Sequence, residues 1–155
     1  MTIPSASDLF AAATTPDPGI DTRLHDRLVD RAEQQGLLDV TYRTVDSPFG
    51  PLLLAATAEG LVRVVFTEEG HDAALARLAA AVSPRILHTP RRLDNAANQL
   101  DEYFAGRRRS FDVPLDLRLA HGFRRAVLDH LRLIAYGATE SYAEVAAAAG
   151  SPKAV

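Results

Sequence analysis

The stretch VTYRTVDSPFGPLLLAATAEGLVRVVF, residues 40–66, decides the fold. In its first part Val40, Tyr42, Thr44 and Asp46 alternate with Thr41, Arg43 and Val45, the period of a half-buried strand. Ser47-Pro48-Phe49-Gly50-Pro51 is rich in residues that pre-set turn geometry. The apolar run Leu52 to Ala56 reads as a second strand, Glu59-Gly60 as a second turn, and Leu61 to Phe66 as a third strand. Short strands joined by tight turns predict a three-stranded antiparallel meander. One face of such a sheet needs a cover, and helices must supply it.

Helical patterns lie on both sides. Upstream, residues 1–19 carry Pro4, Pro16, Pro18 and Gly19 among small residues, which predicts an arm with one helical turn around Asp8 to Ala13. A helix then starts near Asp21, with Asp21 or Thr22 as its cap, and Gly36 stops it. Leu24, Leu28, Val29 and Ala32 would form its apolar face, with Asp26, Arg27, Asp30, Arg31 and Glu33 opposite. Downstream, Asp72 to Val82 places Leu75, Leu78 and Val82 at helical spacing. Arg92 to Phe104 does the same with Leu93, Ala96, Ala97, Leu100, Tyr103 and Phe104, and Gly106 ends it. Phe111 to Leu117 reads as extended, with Pro114 restricting it to an edge or a linker. A domain boundary is expected near Arg118.

The last stretch predicts two helices and the start of a third. From Gly122 to Leu133, Phe123, Val127, His130 and Leu131 share a face that Ile134 extends, and Tyr136-Gly137 breaks the pattern. After the connector Ala138 to Ser141, Tyr142 to Ala149 forms a second helix, with Ser141 and Glu144 as a capping box and Gly150 as its stop. Ser151-Pro152 then announces another helix. A few residues cannot nucleate a helix alone. The expectation is therefore of a chain truncated at the start of a recognition helix, within a helix-turn-helix.

Composition narrows the chemistry. A formal net charge of -3 and a pI near 5.9 argue against a dedicated nucleic-acid binder, yet charge is uneven. The first 40 residues are acidic, while Arg107, Arg108 and Arg109 form one basic run and Arg124 and Arg125 another. There is no cysteine, hence no thiolate nucleophile and no disulfide. The five histidines lack metal-ligand spacing, so no metal is expected, and no cofactor either. No apolar run approaches the roughly 18 residues of a membrane span, and no secretory signal is visible, so a cytoplasmic location is the default.

At Phe123-Arg124-Arg125-Ala126-Val127, Leu131, Ile134, Tyr136-Gly137, Thr139, Ser141-Tyr142, Glu144-Val145-Ala146, Gly150, Pro152 and Ala154-Val155 the chain resembles the DNA-binding domain of methylated-DNA–protein-cysteine methyltransferases, the O6-alkylguanine-DNA alkyltransferases. Asp46-Ser47-Pro48, Gly50-Pro51-Leu52, Tyr103-Phe104-Ala105-Gly106 and Phe111-Asp112-Val113 resemble the family's N-terminal domain. The resemblance implies an α+β chain. Residues 1–38 would be an arm and helix, 39–118 the small sheet domain with covering helices, and 119–155 a partial helix-turn-helix, winged-helix-like DNA-binding domain. It further implies a monomer that binds double-stranded DNA containing O6-alkylguanine through the minor groove and flips the damaged base. In the family, an arginine directly after the segment matching Ala154-Val155 fills the gap in the stack. A cysteine in a Pro-Cys-His-Arg motif takes the alkyl group once, activated by histidine through water with a glutamate behind. Neither lies within residues 1–155, so no catalytic residue is expected here and the chain should be inactive.

The resemblance carries DNA contacts onto Tyr142, Ser151, Arg124 and Lys153. Tyr142 would help rotate the target phosphate. Each has a plainer reading: Tyr142 as a half-buried aromatic, Ser151 as an N-cap, Arg124 and Lys153 as solvated surface. Ala135, Leu128 and Ala143 depart from the family, which usually has proline, often tryptophan in bacteria, and in some members a polar DNA contact there. Arg107 to Arg109 reads as solvated surface rather than a groove reader. Two other functions compete: a non-catalytic alkyltransferase-like lesion binder, and a regulatory helix-turn-helix protein. A DNA-binding half cut at this point should also expose apolar helix faces.

Overall fold

A computed structural model describes residues 18–150. Ser151 and Lys153, and the helical turn expected around Asp8 to Ala13, lie outside the described residues. The chain divides into two compact units, 1–38 and 39–155.

In the first unit, helix α1 runs Pro18–Gln34. It begins three residues before the expected Asp21, because proline is well placed in a first helical turn, where its missing N–H costs nothing. Gly36, at φ 63°, closes it: Gly36 N–H bonds to Glu33 O and Leu37 N–H to Ala32 O, the reciprocal pair of a Schellman end. Val29 and Ala32 are buried, but Leu24 and Leu28 are 57% and 54% exposed, so the apolar face is narrower than its leucines suggested.

The second unit is built on a sheet of strands β1 Val40–Val45, β2 Leu52–Ala56, β3 Leu61–Val65 and β4 Ile86–His88, in the order β3-β2-β1-β4. The three expected strands form the antiparallel meander, with Val45 opposite Leu52 and Leu53 opposite Val65. The sheet is not purely antiparallel, however. Strand β4 adds a fourth, parallel strand against β1, pairing Val40 with Ile86 and Tyr42 with His88. Three residues between Pro84 and Pro90 are too few to show a period in sequence.

Both faces of the sheet are covered, not one. Helix α2, His71–Ala81, brings Ala74 and Leu78 onto Val40, Leu53, Ala55 and Val65. Helix α3, Asp94–Phe104, preceded by a 3-10 turn at Pro90–Leu93, brings Ala96 and Ala97 onto Val45, Leu52, Leu54 and Ala56. Successive β2 residues therefore point into different cores. That explains why Leu52 to Ala56 reads as an unbroken apolar run rather than an alternation.

The segment after α3 returns along the outer edge of β3. Leu61 N–H donates to Pro114 O and Asp116 N–H to Leu61 O, so Pro114 sits at a sheet edge as its missing N–H requires. Buried Gln99 clasps the same segment, donating to Asp112 O at 3.1 Å and accepting from Asp112 N–H at 2.7 Å. Asp116, 7% exposed, receives the Thr57 hydroxyl and the Arg118 amide and pairs with the Arg118 guanidinium.

Helix α4, Gly122–Leu131, and helix α5, Tyr142–Ala148, complete the unit and pack against each other.

Candidate nucleic-acid interface

The α4–α5 hairpin holds the two described residues singled out as DNA contacts. Arg124 is an exposed residue in the first turn of α4. Tyr142 is the first residue of α5, and it is 90% exposed, so it is not the half-buried aromatic of the plainer reading. Its helix has only seven residues, too short to stand on propensity alone, and two local devices hold it. Val145 and Ala146 are buried on one side. At the start, Ser141 Oγ accepts from Glu144 N–H at 3.3 Å, while Glu144 Oε2 accepts from the Ser141 amide and hydroxyl, each at 2.7 Å. This is the capping box expected from the Ser-x-x-Glu spacing. The Ser141 amide, and then its hydroxyl, hold the Glu144 carboxyl below its ordinary range, so it remains an anion at the helix's positive end.

Helix α4 is less settled. It carries no buried residue: Phe123 is 41% exposed and Leu131 44%, and beyond its end Leu133 is 78% and Tyr136 60% exposed. Of these, Leu133 and Tyr136 face an open cleft of about 970 Å³. Leu61, Val64, Leu100, Tyr103 and Phe111 form its wall on the sheet side, and Leu133, Ile134 and Tyr136 line the helical side. The exposed apolar helix face foreseen from the sequence is thus present.

The arginines are partly committed within the molecule. Arg125 pairs with Asp129 at 2.8 Å and Arg108 with Glu102 at 2.7 Å. Arg109 lies over the Tyr136 ring, 5.5 Å from its centre, and Tyr103 meets the same ring edge-on. Sequence reasoning missed one further contact. His130 Nε2 donates to Glu140 Oε2 at 2.6 Å, tying the last turn of α4 to the residue before the α5 cap. The helical pattern puts His130 on the apolar face, and ten residues across a turn is no helical spacing that would flag Glu140. Among the described residues no cluster of histidine and carboxylate side chains could hold a metal ion. No helix there is long and apolar enough to cross a membrane.

A mixed sheet clad by helices on both faces, followed by a capped helical hairpin with an exposed aromatic at its second helix, defines an α+β protein of the sheet-plus-helical-hairpin class. Residues 40–117 match the family model of the 6-O-methylguanine DNA methyltransferase ribonuclease-like domain. The chain belongs to that family. It is 37% identical over 116 residues to the methylated-DNA–protein-cysteine methyltransferase of Mycobacterium tuberculosis H37Rv, covering 73% of this chain and 63% of that one. It is 36% identical over 114 residues to the constitutive enzyme of Bacillus subtilis 168, covering 74% and 66%. The crystal structure of the Mycobacterium tuberculosis O6-methylguanine methyltransferase superposes with a TM-score of 0.63 at 37% identity, over 74% of this chain and 64% of the other. The Mycobacterium tuberculosis OGT in complex with DNA gives 0.59 at 37% identity. The chain thus spans less than two thirds of the length of these relatives.

Proposed function

We propose that this chain is the scaffold and DNA-facing hairpin of a protein that repairs O6-alkylguanine in double-stranded DNA by moving the alkyl group onto a cysteine. Residues 39–118 are the sheet domain and 119–155 the front of a winged-helix-like helix-turn-helix. The observation that carries this reading is Tyr142, fully presented at the start of a helix that its own capping box orders. An exposed tyrosine hydroxyl is suited to hydrogen-bonding a DNA phosphate. Arg124 supplies a second phosphate contact, and the family resemblance assigns further ones to Ser151 and Lys153. The protein works as a monomer in the cytoplasm and needs no cofactor, because the acceptor is one of its own side chains.

In that reaction the alkyl carbon leaves guanine O6 for sulfur: a C–O bond breaks, a C–S bond forms, and the restored guanine keeps its oxygen. Base flipping comes first, since O6 is otherwise held in the stack. Residues 1–155 contain no sulfur nucleophile, so they bind and position but do not transfer. Incubation with duplex DNA carrying O6-methylguanine, followed by mass measurement of the protein, should show no added methyl group. A methylated protein would refute the assignment of the acceptor to a cysteine.

The absence of cysteine also supports a second reading, a non-catalytic lesion-binding protein. Sequencing the gene past codon 155 separates the two. A Pro-Cys-His-Arg segment establishes the repair protein, and another residue in the cysteine's place establishes the lesion binder.

A further inference from the structure

The link between α4 and α5 is weakly built. Every residue from Ala135 to Glu144 is exposed, and the connector's backbone is held by isolated turn bonds such as Leu133 N–H to His130 O and Ala138 N–H to Ala135 O. Gly137, at φ 83°, adds a left-handed residue in the middle. Such a connector would leave the start of α5 free to swing. Against this stand the Tyr136 ring, met by Arg109 and Tyr103 midway along the connector, and one side-chain bridge at its far end. His130 Nε2 lies 2.6 Å from Glu140 Oε2, and the two side chains are 22% and 32% exposed. Glu140 directly precedes Ser141, whose cap bonds run on to Glu144. Other charges nearby do not compete for the pair: Asp129 is taken by Arg125 at 2.8 Å and approached by Arg132 at 4.0 Å, and Glu144 is occupied by Ser141. A polar path thus leads from the body of α4 through Glu140 and the capping box to the residue that begins α5.

We propose that His130 and Glu140 form a clamp that positions Tyr142. The bridge fixes the far end of the connector to α4, so the tyrosine is presented in one orientation rather than sampling many. His130 and Glu140 are positioning residues: they touch no substrate, and they act through Ser141 and the helix start. Preorganisation of this kind raises affinity by removing an ordering cost at the moment of binding. The proposal rests on the reading of Tyr142 as a DNA contact, but the clamp itself is visible without DNA.

The test uses the 155-residue chain, isotope-labelled for NMR, in two arms. In the first, backbone and ring order at Tyr142 are compared between the unaltered chain and Glu140→Ala, which changes an exposed connector residue and leaves both helices intact. His130→Ala removes the other partner, and His130→Lys restores a donor able to reach Glu140. The clamp predicts that both alanine variants lose order from Ala138 to Tyr142 and that the lysine variant regains it. A merely structural role for His130 on α4 would not produce that rescue. Unchanged order at Tyr142 in Glu140→Ala overturns the proposal. In the second arm, duplex DNA is titrated into the same variants and into Tyr142→Ala. Loss of the clamp should weaken binding about threefold to fivefold, the scale of one side-chain hydrogen bond. If Tyr142→Ala weakens binding and Glu140→Ala does not, the clamp is wrong and the DNA reading survives. If Tyr142→Ala binds like the unaltered chain, the DNA reading fails, and the first arm alone decides the clamp.

Discussion

The Thr57 hydroxyl donates to the Asp116 carboxylate at 2.5 Å across a separation of 59 residues, fastening the segment that leaves α3 to the turn between β2 and β3. Burial alone would raise the Asp116 carboxyl. The Thr57 hydroxyl, the Arg118 amide and the Arg118 charge outweigh it and hold the group below its ordinary value of 3.8. The unfolded chain therefore takes up this proton before the folded one does. The stability from Asp116 is complete above about pH 4 and fades as pH falls through the lower folded value. Asp116→Asn should flatten acid unfolding in that range and cost about 1–3 kcal/mol at neutral pH, measured by urea denaturation.

Gly60 provides the matching backbone test. Its φ is 146°, and a Cβ there would fall on the Pro114 carbonyl carbon and oxygen. Gly60→Ala must push the return segment off the β3 edge. The Leu61 amide, bonded to Pro114 O at 2.8 Å, should then lose hydrogen-exchange protection, with a stability loss of about 1–3 kcal/mol or more.

Leu54 is wholly buried beneath α3. Leu54→Ala leaves a cavity between β2 and Ala96 and should cost about 2–5 kcal/mol in thermal or urea unfolding. Leu24→Ala in α1, at a position 57% exposed, should change stability by less than about 0.5 kcal/mol. A large loss there would contradict the narrow buried face assigned to α1.

Ser141→Ala removes the acceptor that holds the Glu144 amide. The substitution should cost about 1 kcal/mol. In so short a helix this loss should appear as faster amide exchange across Tyr142–Ala148 while the sheet is unaffected. Glu144 sits below its ordinary value of 4.5, so its contribution to the cap is complete above that pH. Protection of the α5 amides, taken relative to the intrinsic exchange rate at each pH, should therefore fall as pH is lowered through the still lower folded value.

What was legible in the sequence depended on how local each signal was. The meander, the capping box at Ser141 and Glu144 and the amphipathic α3 all announce themselves within a few residues of their own position. Strand β4 did not, because its three residues pair with Val40 to Tyr42, more than forty positions away. The cover on both faces of β2 was hidden for the same reason: an unbroken apolar run states that a strand is buried, not what buries it. In the candidate site, Tyr142 and Arg124 were found through the family resemblance and are exposed in the structure. The His130–Glu140 bridge crosses a turn whose path no periodicity reveals. Ser151 and Lys153 fall outside the described residues, and DNA contact by all four residues is a proposal.

The measurement that bears most directly on the account is an NMR titration of the labelled chain with duplex DNA. The account predicts weak binding, with a Kd on the order of 0.1 mM and falling affinity as salt rises. Shift changes should centre on Ser141 to Glu144 and on Arg124, and Tyr142→Ala should remove the first group. Shifts confined to the sheet and its covering helices α2 and α3, or a map that Tyr142→Ala leaves unchanged, would contradict the assignment of the α4–α5 hairpin as the face that meets DNA.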